Sequence, residues 1–332
     1  MRSTAVQFSA PYSIDLVDVD VREPKQGEAL VRVLFSGISS GTEMLAYRGD
    51  LDQDAALDEK LGSLSGTFTF PFRFGYSCVG TVAASGGRLG AGTLVFAFHP
   101  HQAHIVVPEQ ELIELPAVDP RHAALFPLVE TALQIILDAG RVAHDVVIVS
   151  GLGAVGILTG ALLVSAGATV VGLDPEPARR NAAMHFGIQP YGPDEAPEVV
   201  RRATSDGVSL AVEASGNPDA LRGLLGLLVH EGTILVASWY GARPVELPLG
   251  GAFHRRRITI RSTQVSTIPA EQSSSWTIDR RRKTATALLT ELDLGILATH
   301  QFPISNASEA FAAVDKGGSG LIHAALAYEK EI

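Results

Sequence analysis

Short apolar runs separated by glycine or proline mark the first part of the chain. In these runs β-branched residues are frequent and apolar and polar positions tend to alternate, which is the pattern of half-buried β-strands. The clearest predicted strands are Ala29–Val33, Val79–Ala83, Thr93–Ala97 and Ile105–Val107. Residues 1–127 are therefore expected to form a β-rich domain.

The pattern changes after residue 127, where apolar runs alternate with segments of helical character. Strands that are buried on both faces are apolar throughout, and their alternation with helices predicts a doubly wound parallel sheet. The predicted strands are Val146–Val149, Ala168–Leu173, Leu210–Glu213, Thr233–Ala237 and Ile258–Ile260. The sequence thus predicts an α/β domain over 128–270.

The remaining segment, 271–332, has two helical patterns and one further strand. The helical patterns lie around Lys283–Glu291 and Ser308–Val314, and the closing strand lies near Ile322–Leu326. We expect this segment to return to the first domain and complete it.

One stretch of the α/β domain has a composition that a membrane segment would share. Val146–Leu173 contains no charged residue, and about 20 apolar residues suffice to span a bilayer. Its glycines, and its change from β-branched to small residues, indicate a strand, a loop, a helix and a second strand instead. We therefore expect no membrane span, and the N-terminus lacks the apolar run of a secretory signal.

Charge and cysteine content narrow the function further. The formal net charge is −10, and binding to nucleic acid relies on clustered Lys and Arg, so we expect no nucleic-acid partner. Cys78 is the single cysteine, which excludes an internal disulfide and a four-cysteine zinc lobe and suits a reducing cytoplasm. A small-molecule substrate is the expected partner. We also expect a homodimer, because the strand at Ile258–Ile260 would otherwise be an exposed sheet edge.

A glycine-rich hexapeptide connects the first two strands of the α/β domain. It consists of Gly151, Leu152, Gly153, Ala154, Val155 and Gly156. In such a motif the first glycine permits a tight turn, the second lets a pyrophosphate approach the backbone, and the third lets helix and strand pack closely. Asp174 ends the second strand, eighteen residues past the last glycine, and would bind the ribose hydroxyls, which favours NAD(H). Arg179 leaves NADP(H) open, because an arginine here could meet a 2′-phosphate.

Two more segments are expected to contact the cofactor. Ser215 and Gly216 follow one predicted strand, and Ser238 and Trp239 follow the next. Because cofactors bind at the carboxyl ends of parallel strands, we expect these loops to contact the nicotinamide and its ribose.

The order of these features resembles the medium-chain dehydrogenase/reductase superfamily, which includes the zinc alcohol dehydrogenases. The resemblance covers essentially the full length and rests on Gly37–Glu43 (GISSGTE), Phe74–Gly80 (FGYSCVG), the Gly151–Asp174 unit and Thr299–Pro303 (THQFP). It implies a GroES-like catalytic domain over 1–127 and 271–332, and a Rossmann NAD(P)-binding domain over 128–270. Together with Trp276–Arg282, the motifs look most like the branch that contains 2-desacetyl-2-hydroxyethyl bacteriochlorophyllide a dehydrogenase.

The zinc-dependent members of this superfamily imply three metal-ligand positions, and the chain departs from all of them. Ser40 replaces a cysteine, Tyr76 replaces a histidine, and Pro127 occupies the third position, four residues before Thr131. Zinc requires thiolate, imidazole or carboxylate donors, so we expect no zinc. The resemblance places Thr131 near the nicotinamide.

Without a metal, hydrogen-bond donors must stabilise the oxygen of the substrate. The resemblance implies that Thr42 bonds this oxygen and that Tyr76 points into the same cavity, where Tyr76 either acts as general acid or base or merely fills space. Glu43 either orients Thr42 or forms an ion pair with an arginine such as Arg48. His101 either shuttles protons or packs its loop. With Ser40, these are the candidate catalytic residues.

The sequence therefore predicts a zinc-independent, NAD(P)(H)-dependent oxidoreductase. It would transfer a hydride between nicotinamide and an alcohol or carbonyl substrate bound in a cleft between the domains. Two alternatives stay open. An enoyl or quinone reductase of the same superfamily would yield a saturated ketone or a quinol, and a non-catalytic sensor or scaffold would bind cofactor without turnover.

Overall fold

The protein is described by a computed structural model that covers residues 1–318 and 320–328. The chain divides into two compact units. Unit 1 contains residues 1–127 and the chain from Thr286 onward, and unit 2 contains residues 128–285. The boundary falls at 285/286, inside a helix, whereas the sequence pattern placed it at 270/271, where the last predicted apolar strand of the parallel sheet has ended.

Strands predominate up to Glu114, and strands alternate with helices from Phe126 onward, as the sequence predicts. The strands are β1 (Arg2–Ala10), β2 (Ser13–Asp20), β3 (Glu28–Ile38), β4 (Cys78–Ser85), β5 (Leu94–Ala97), β6 (His104–Pro108), β7 (Ile113–Glu114), β8 (Val146–Ser150), β9 (Thr169–Leu173), β10 (Gln189–Tyr191), β11 (Val208–Glu213), β12 (Leu228–Val236), β13 (Thr259–Ser262), β14 (His300–Pro303) and β15 (Ala324–Ala327). The α-helices are α1 (Thr42–Arg48), α2 (Pro120–Ala123), α3 (Phe126–Ala139), α4 (Ala154–Ser165), α5 (Pro177–Met184), α6 (Ala196–Ala203), α7 (Pro218–Leu224), α8 (Ile278–Glu291) and α9 (Ala307–Lys316). Short 3₁₀ turns lie at Glu109–Glu111, Pro193–Glu195, Ala270–Gln272, Leu294–Ile296 and Ile304–Asn306, and a π-helical turn lies at Leu249–Phe253.

Unit 1 is built on a seven-stranded sheet in the order β14-β15-β3-β4-β5-β7, with β6 paired to β3. Its central strand, β3, pairs antiparallel with β15 from the end of the chain, and Ala324 lies opposite Ile38. The aromatic ring of Phe8 stacks on that of Phe72 at 5.1 Å and meets the ring of Phe311 edge-on at 5.2 Å. The C-terminal segment thus supplies both a strand and core side chains to this unit.

Unit 2 is a six-stranded sheet in the order β10-β9-β8-β11-β12-β13, and every pairing in it is parallel. The strand order reverses between β8 and β11, which start the two halves of the sheet. The expected α/β class with a doubly wound parallel sheet is confirmed. In open sheets of this kind ligands bind outside the carboxyl ends of the strands, at the point of reversal.

The uncharged stretch from Val146 to Leu173 forms β8, α4 and β9 of this parallel sheet. Its side chains are apolar because both faces of each strand are buried: Val147, Ile148 and Val149 have no exposed surface. Within 1–318 and 320–328, no helix combines the length and the apolar character needed to cross a membrane.

Candidate active site

The glycine-rich loop after β8 requires glycine at its first and last positions. Gly151 has φ +95°, and a Cβ there would lie 2.6 Å from the backbone nitrogen of Ser215. A Cβ on Gly156 would lie 1.8 Å from the carbonyl oxygen of Gly151. Neither contact is compatible with any larger residue, so the turn and its packing depend on these two glycines.

Gly153 differs from its neighbours, because a Cβ there would meet nothing within 4 Å. It is the N-cap of α4, and no side chain caps this helix end. The first N–H groups of a helix lack partners within the helix and carry the positive end of the helix dipole. Open space in front of uncapped N–H groups fits the pyrophosphate of a dinucleotide.

Asp174 lies beside this loop at the end of β9 and is only 2% exposed. Its Oδ2 accepts a hydrogen bond from the backbone N–H of Leu152 at 2.8 Å, and its Oδ1 accepts one from the N–H of Glu176 at 2.8 Å. The Nη1 atom of Arg179 is 3.9 Å from Oδ2. The carboxylate therefore ties the glycine loop to the end of β9, a structural role that the sequence did not predict. Each oxygen retains a second lone pair that could accept a ribose hydroxyl.

The other cofactor candidates lie on neighbouring elements of unit 2. Ser215 and Gly216 follow β11, and Ser238 and Trp239 follow β12, which pairs with β11. The backbone N–H of Gly216 donates to the Oγ of Ser238 at 2.8 Å, so the two loops are joined. Ala154 and Val155 form the first turn of α4, and Thr131 lies half-buried on α3.

In unit 1, Tyr76 forms a hydroxyl cluster with two residues of the segment that follows β3. The half-buried Tyr76 phenol lies near the side-chain hydroxyls of Ser39 and Thr42. Burial raises the pKa of the Tyr76 phenol well above its ordinary value, the charge of Glu43 adds to this, and the two neighbouring hydroxyls oppose it. At neutral pH Tyr76 is therefore a protonated phenol, which suits a hydrogen-bond donor better than a general base.

Glu43 and His101 form a completely buried pair beneath this cluster. Their side chains have no exposed surface, and Nε2 of His101 is 2.8 Å from Oε2 of Glu43. The other carboxylate oxygen accepts the backbone N–H of Ser39 at 3.1 Å. Of the two alternatives for Glu43, an ion pair with Arg48 is not formed, because Nε of Arg48 bonds Asp315 at 2.5 Å instead.

A chain of buried hydroxyl groups continues from His101 into the unit. Its Nδ1 is 2.6 Å from Oγ of Ser36, which is 2.9 Å from the phenol oxygen of Tyr328. Gly75, with φ +123°, makes room for the imidazole, since a Cβ there would lie 2.6 Å from Cδ2 of His101. Sequence reasoning missed Ser36 and Tyr328, because nothing in either local pattern distinguishes them from other strand residues.

The residues at the expected metal positions do not fit zinc. Ser40 is exposed and offers a hydroxyl, Tyr76 offers a protonated phenol, and Pro127 has no side-chain donor atom. Zinc sites in proteins use thiolate, imidazole or carboxylate ligands. In the part of the chain that the structure describes, no group of three or more His, Cys, Asp or Glu side chains is arranged to hold a metal ion.

The histidines flanking His101 do not join it in a cluster. The Nδ1 atom of His99 is 2.9 Å from the carbonyl oxygen of Pro100, and burial lowers the pKa of His99 to about 4. His104 is buried in β6, where its backbone N–H donates to Oγ of Ser3. Of these three histidines, His101 is the one in contact with Glu43.

Comparisons with known proteins agree with this architecture. Residues 154–279 match the family model described as zinc-binding dehydrogenase. The chain is 27% identical to 2-desacetyl-2-hydroxyethyl bacteriochlorophyllide A dehydrogenase of Cereibacter sphaeroides, over 94% of each chain. It is 26% identical to D-guloside 3-dehydrogenase of Escherichia coli K12, over 85% of this chain and 86% of the relative. Its fold resembles a short chain alcohol dehydrogenase of Escherichia coli CFT073 complexed with NADH, with a TM-score of 0.76, 16% identity and coverage of 98% and 99%.

Proposed function

We propose that this chain, an oxidoreductase similar to medium-chain dehydrogenases, transfers a hydride between a nicotinamide cofactor and an alcohol or carbonyl substrate without zinc. Both named relatives are dehydrogenases whose substrates carry hydroxyl groups. This favours alcohol chemistry over reduction of a conjugated double bond or a quinone.

The observation that carries the reaction class is the cluster of Tyr76, Ser39 and Thr42. Hydride transfer to a carbonyl carbon develops negative charge on the oxygen, and preorganised donors that stabilise this charge lower the barrier. Tyr76 remains a phenol at neutral pH and can donate, and Thr42 is a second donor beside it. The candidate role of general base is less well supported, because burial and the charge of Glu43 disfavour tyrosinate.

In this proposal the protein supplies the proton as well as the hydrogen bond. Once the carbonyl carbon has accepted the hydride, the product oxygen is an alkoxide, which is a stronger base than a phenolate. It takes the Tyr76 proton, and solvent returns a proton to the Tyr76 oxygen. Glu43 and His101 are too deeply buried to touch substrate, and we assign them a positioning role through Ser39.

Unit 2 provides the cofactor site in this proposal. A bound nicotinamide would supply or accept the hydride. The uncapped N-terminus of α4 and the open space at Gly153 support pyrophosphate binding, and Asp174 supports a preference for NAD(H), because its negative charge would repel a 2′-phosphate. Arg179 beside Asp174 carries a positive charge that would attract a 2′-phosphate, so the two residues act in opposite directions on the choice between NAD(H) and NADP(H).

The first experiment titrates EDTA-treated protein with NADH and with NADPH by calorimetry. We expect NADH to bind more tightly by more than about tenfold, or 1.4 kcal/mol. Binding that appears only after zinc is added back would overturn the zinc-independent proposal, and binding of neither cofactor under either condition would overturn the assignment of the glycine loop.

The second experiment tests the reaction class with a panel of ketones, an enone and a quinone, each with NADH. We expect turnover with ketones, and Tyr76→Phe should lower kcat by about 10² or more while the Kd for NADH stays unchanged. Tyr12→Phe, at a tyrosine that is 59% exposed, is the matched control. Unchanged kcat in Tyr76→Phe removes Tyr76 from the mechanism, and turnover only of the enone or quinone identifies the other enzyme class. Tight NADH binding without any turnover indicates a sensor or scaffold.

A further inference from the structure

A buried carboxylate lies at the carboxyl end of β11, next to the point where the strand order of unit 2 reverses. Glu213 has no exposed surface, and it lies opposite Ser150 of β8 on one side and Val236 of β12 on the other. It follows five residues, four of them apolar, in the same strand, VSLAVE. Desolvating a carboxylate is costly unless several donors satisfy it.

All four donors to Glu213 come from the loops that leave β11 and β12. Its Oε1 accepts the backbone N–H of Ser215 at 2.7 Å, the hydroxyl of Ser215 at 2.6 Å and the N–H of Gly216 at 3.1 Å. Its Oε2 accepts the phenol of Tyr240 at 2.7 Å. Burial and the charge of Glu213 raise the pKa of Tyr240 above its ordinary value, so Tyr240 stays a donor.

This network also reaches the glycine-rich loop. Gly151 packs so closely on Ser215 that a Cβ would lie 2.6 Å from the Ser215 backbone nitrogen and Cα. Gly216 is bonded in turn to Ser238 across the two loops. One carboxylate thus fixes the loop 214–217 directly, the loop 238–240 through Tyr240, and the position of the backbone against which Gly151 packs.

We infer that Glu213 and Tyr240 are a positioning pair for the nicotinamide half of the dinucleotide, a role that rests on the function proposed above. The adenosine half would depend on Asp174 at the end of β9, two strands away from β11. The hydrogen bonds of Glu213 go to the loops that follow β11 and β12 at the carboxyl edge of the sheet, where the ring of Tyr240 also packs against the core of unit 2. Loosening this pair should therefore affect the two halves of the cofactor unequally.

The test compares NADH with ADP-ribose, which lacks the nicotinamide, by calorimetry on the full chain. Tyr240→Phe removes one donor and keeps the ring, and we expect the Kd for NADH to rise about tenfold, or 1.4 kcal/mol, with the Kd for ADP-ribose changed less than about twofold. Glu213→Gln should act in the same direction. Tyr12→Phe, at an exposed tyrosine of unit 1, is the control and should change neither Kd.

Equal losses for the two ligands would show a merely structural role, and no loss for either would show that the loops need no such anchor; each result overturns the inference. Should both variants fail to fold, hydrogen exchange of the wild-type protein gives the same test: NADH should protect the backbone amides of Ser215 and Gly216 more than ADP-ribose does, and equal protection by the two ligands overturns the inference. Failure of the cofactor assignment on which the inference rests is seen separately, because the wild-type protein would then bind no NADH in the same titration.

Discussion

Exchanging single glycines of the dinucleotide loop for alanine should separate the stability of unit 2 from its ligand binding. In Gly156→Ala the new methyl carbon would lie 1.8 Å from the carbonyl oxygen of Gly151, whereas ordinary contacts begin at 3.4 Å. The helix or the loop must therefore shift by the difference, about 1.6 Å. In Gly153→Ala the methyl group meets no atom within 4 Å, and the backbone there, with φ −73° and ψ −174°, is one that alanine readily adopts.

The magnitudes follow from these contacts. Overpacking of this kind costs about 3 kcal/mol, and alanine returns at most about 1 kcal/mol through its better helix propensity. Gly156→Ala should therefore lose about 2 kcal/mol, which lowers Tm by roughly 4–8 °C for a domain of this size. Gly153→Ala should change the stability by less than about 0.5 kcal/mol. Its methyl group occupies the space left for pyrophosphate, so its Kd for NADH should rise at least about tenfold.

Urea unfolding followed by circular dichroism measures the first effect, and calorimetric titration with NADH measures the second. We expect Gly156→Ala to differ from the wild type in urea unfolding and Gly153→Ala to differ from it in NADH binding. A Gly153→Ala protein as unstable as Gly156→Ala, or one that binds NADH like the wild type, would refute the assignment of that open space to a ligand.

Three further predictions concern stability and assembly. Arg281→Leu should lose about 3 kcal/mol in urea unfolding, because the buried Glu130 carboxylate loses the guanidinium that lies 3.0 Å away and keeps Nε of Arg282 at 3.5 Å. Arg280→Leu, at an exposed arginine, should have little effect, and equal losses would contradict this. Burial lowers the pKa of His323 to about 4, so the unfolded chain binds a proton that the folded chain does not bind. The free energy of unfolding should therefore fall by about 2 kcal/mol from this site between about pH 7 and pH 5. His323→Gln should show a smaller pH dependence, and an identical one would exclude this histidine as the cause. The edge position of β13 predicts a homodimer by light scattering, and a monomer at micromolar concentration would contradict it.

The features that sequence predicts well here are local. The apolar runs of β8 and β9 and the glycine motif between them have a spacing and a composition that are visible between Val146 and Leu173, and the structure contains the expected β-loop-α-β unit. The sequence identifies Asp174 as the acidic residue at the end of the second strand. Its hydrogen bond to the N–H of Leu152 depends on the conformation of the glycine-rich loop, which the sequence pattern does not specify.

The candidate catalytic network is not local, and this explains what the sequence could not predict. Glu43 and His101 are 58 residues apart, and Ser36 and Tyr328 are 292 apart. Their contacts depend on the register of strands that pair across the whole unit, and no spacing along the chain encodes this. The sequence therefore left Glu43 between orienting Thr42 and pairing with an arginine, and gave no sign of its contact with His101. For Glu213 the sequence contains a signal, because a charged residue ends a strand that is otherwise mostly apolar. Nothing in the sequence indicates which groups form hydrogen bonds to it.

The late arrival of β15 has a consequence for synthesis on the ribosome. Residues 128–285 are contiguous, so this half can begin to fold as soon as it emerges, whereas β3 must wait for a strand that pairs with it from 286 residues later. At about 5–20 residues per second, that delay is roughly 15 to 60 s. Until then the part of β3 that leads into the Ser39–Thr42 segment lacks its neighbour, and Ser36 lacks Tyr328. A nascent chain should therefore bind the cofactor before its candidate catalytic cluster has formed. Until β15 is made, the unpaired edge of β3 is the place where we expect a chaperone to bind.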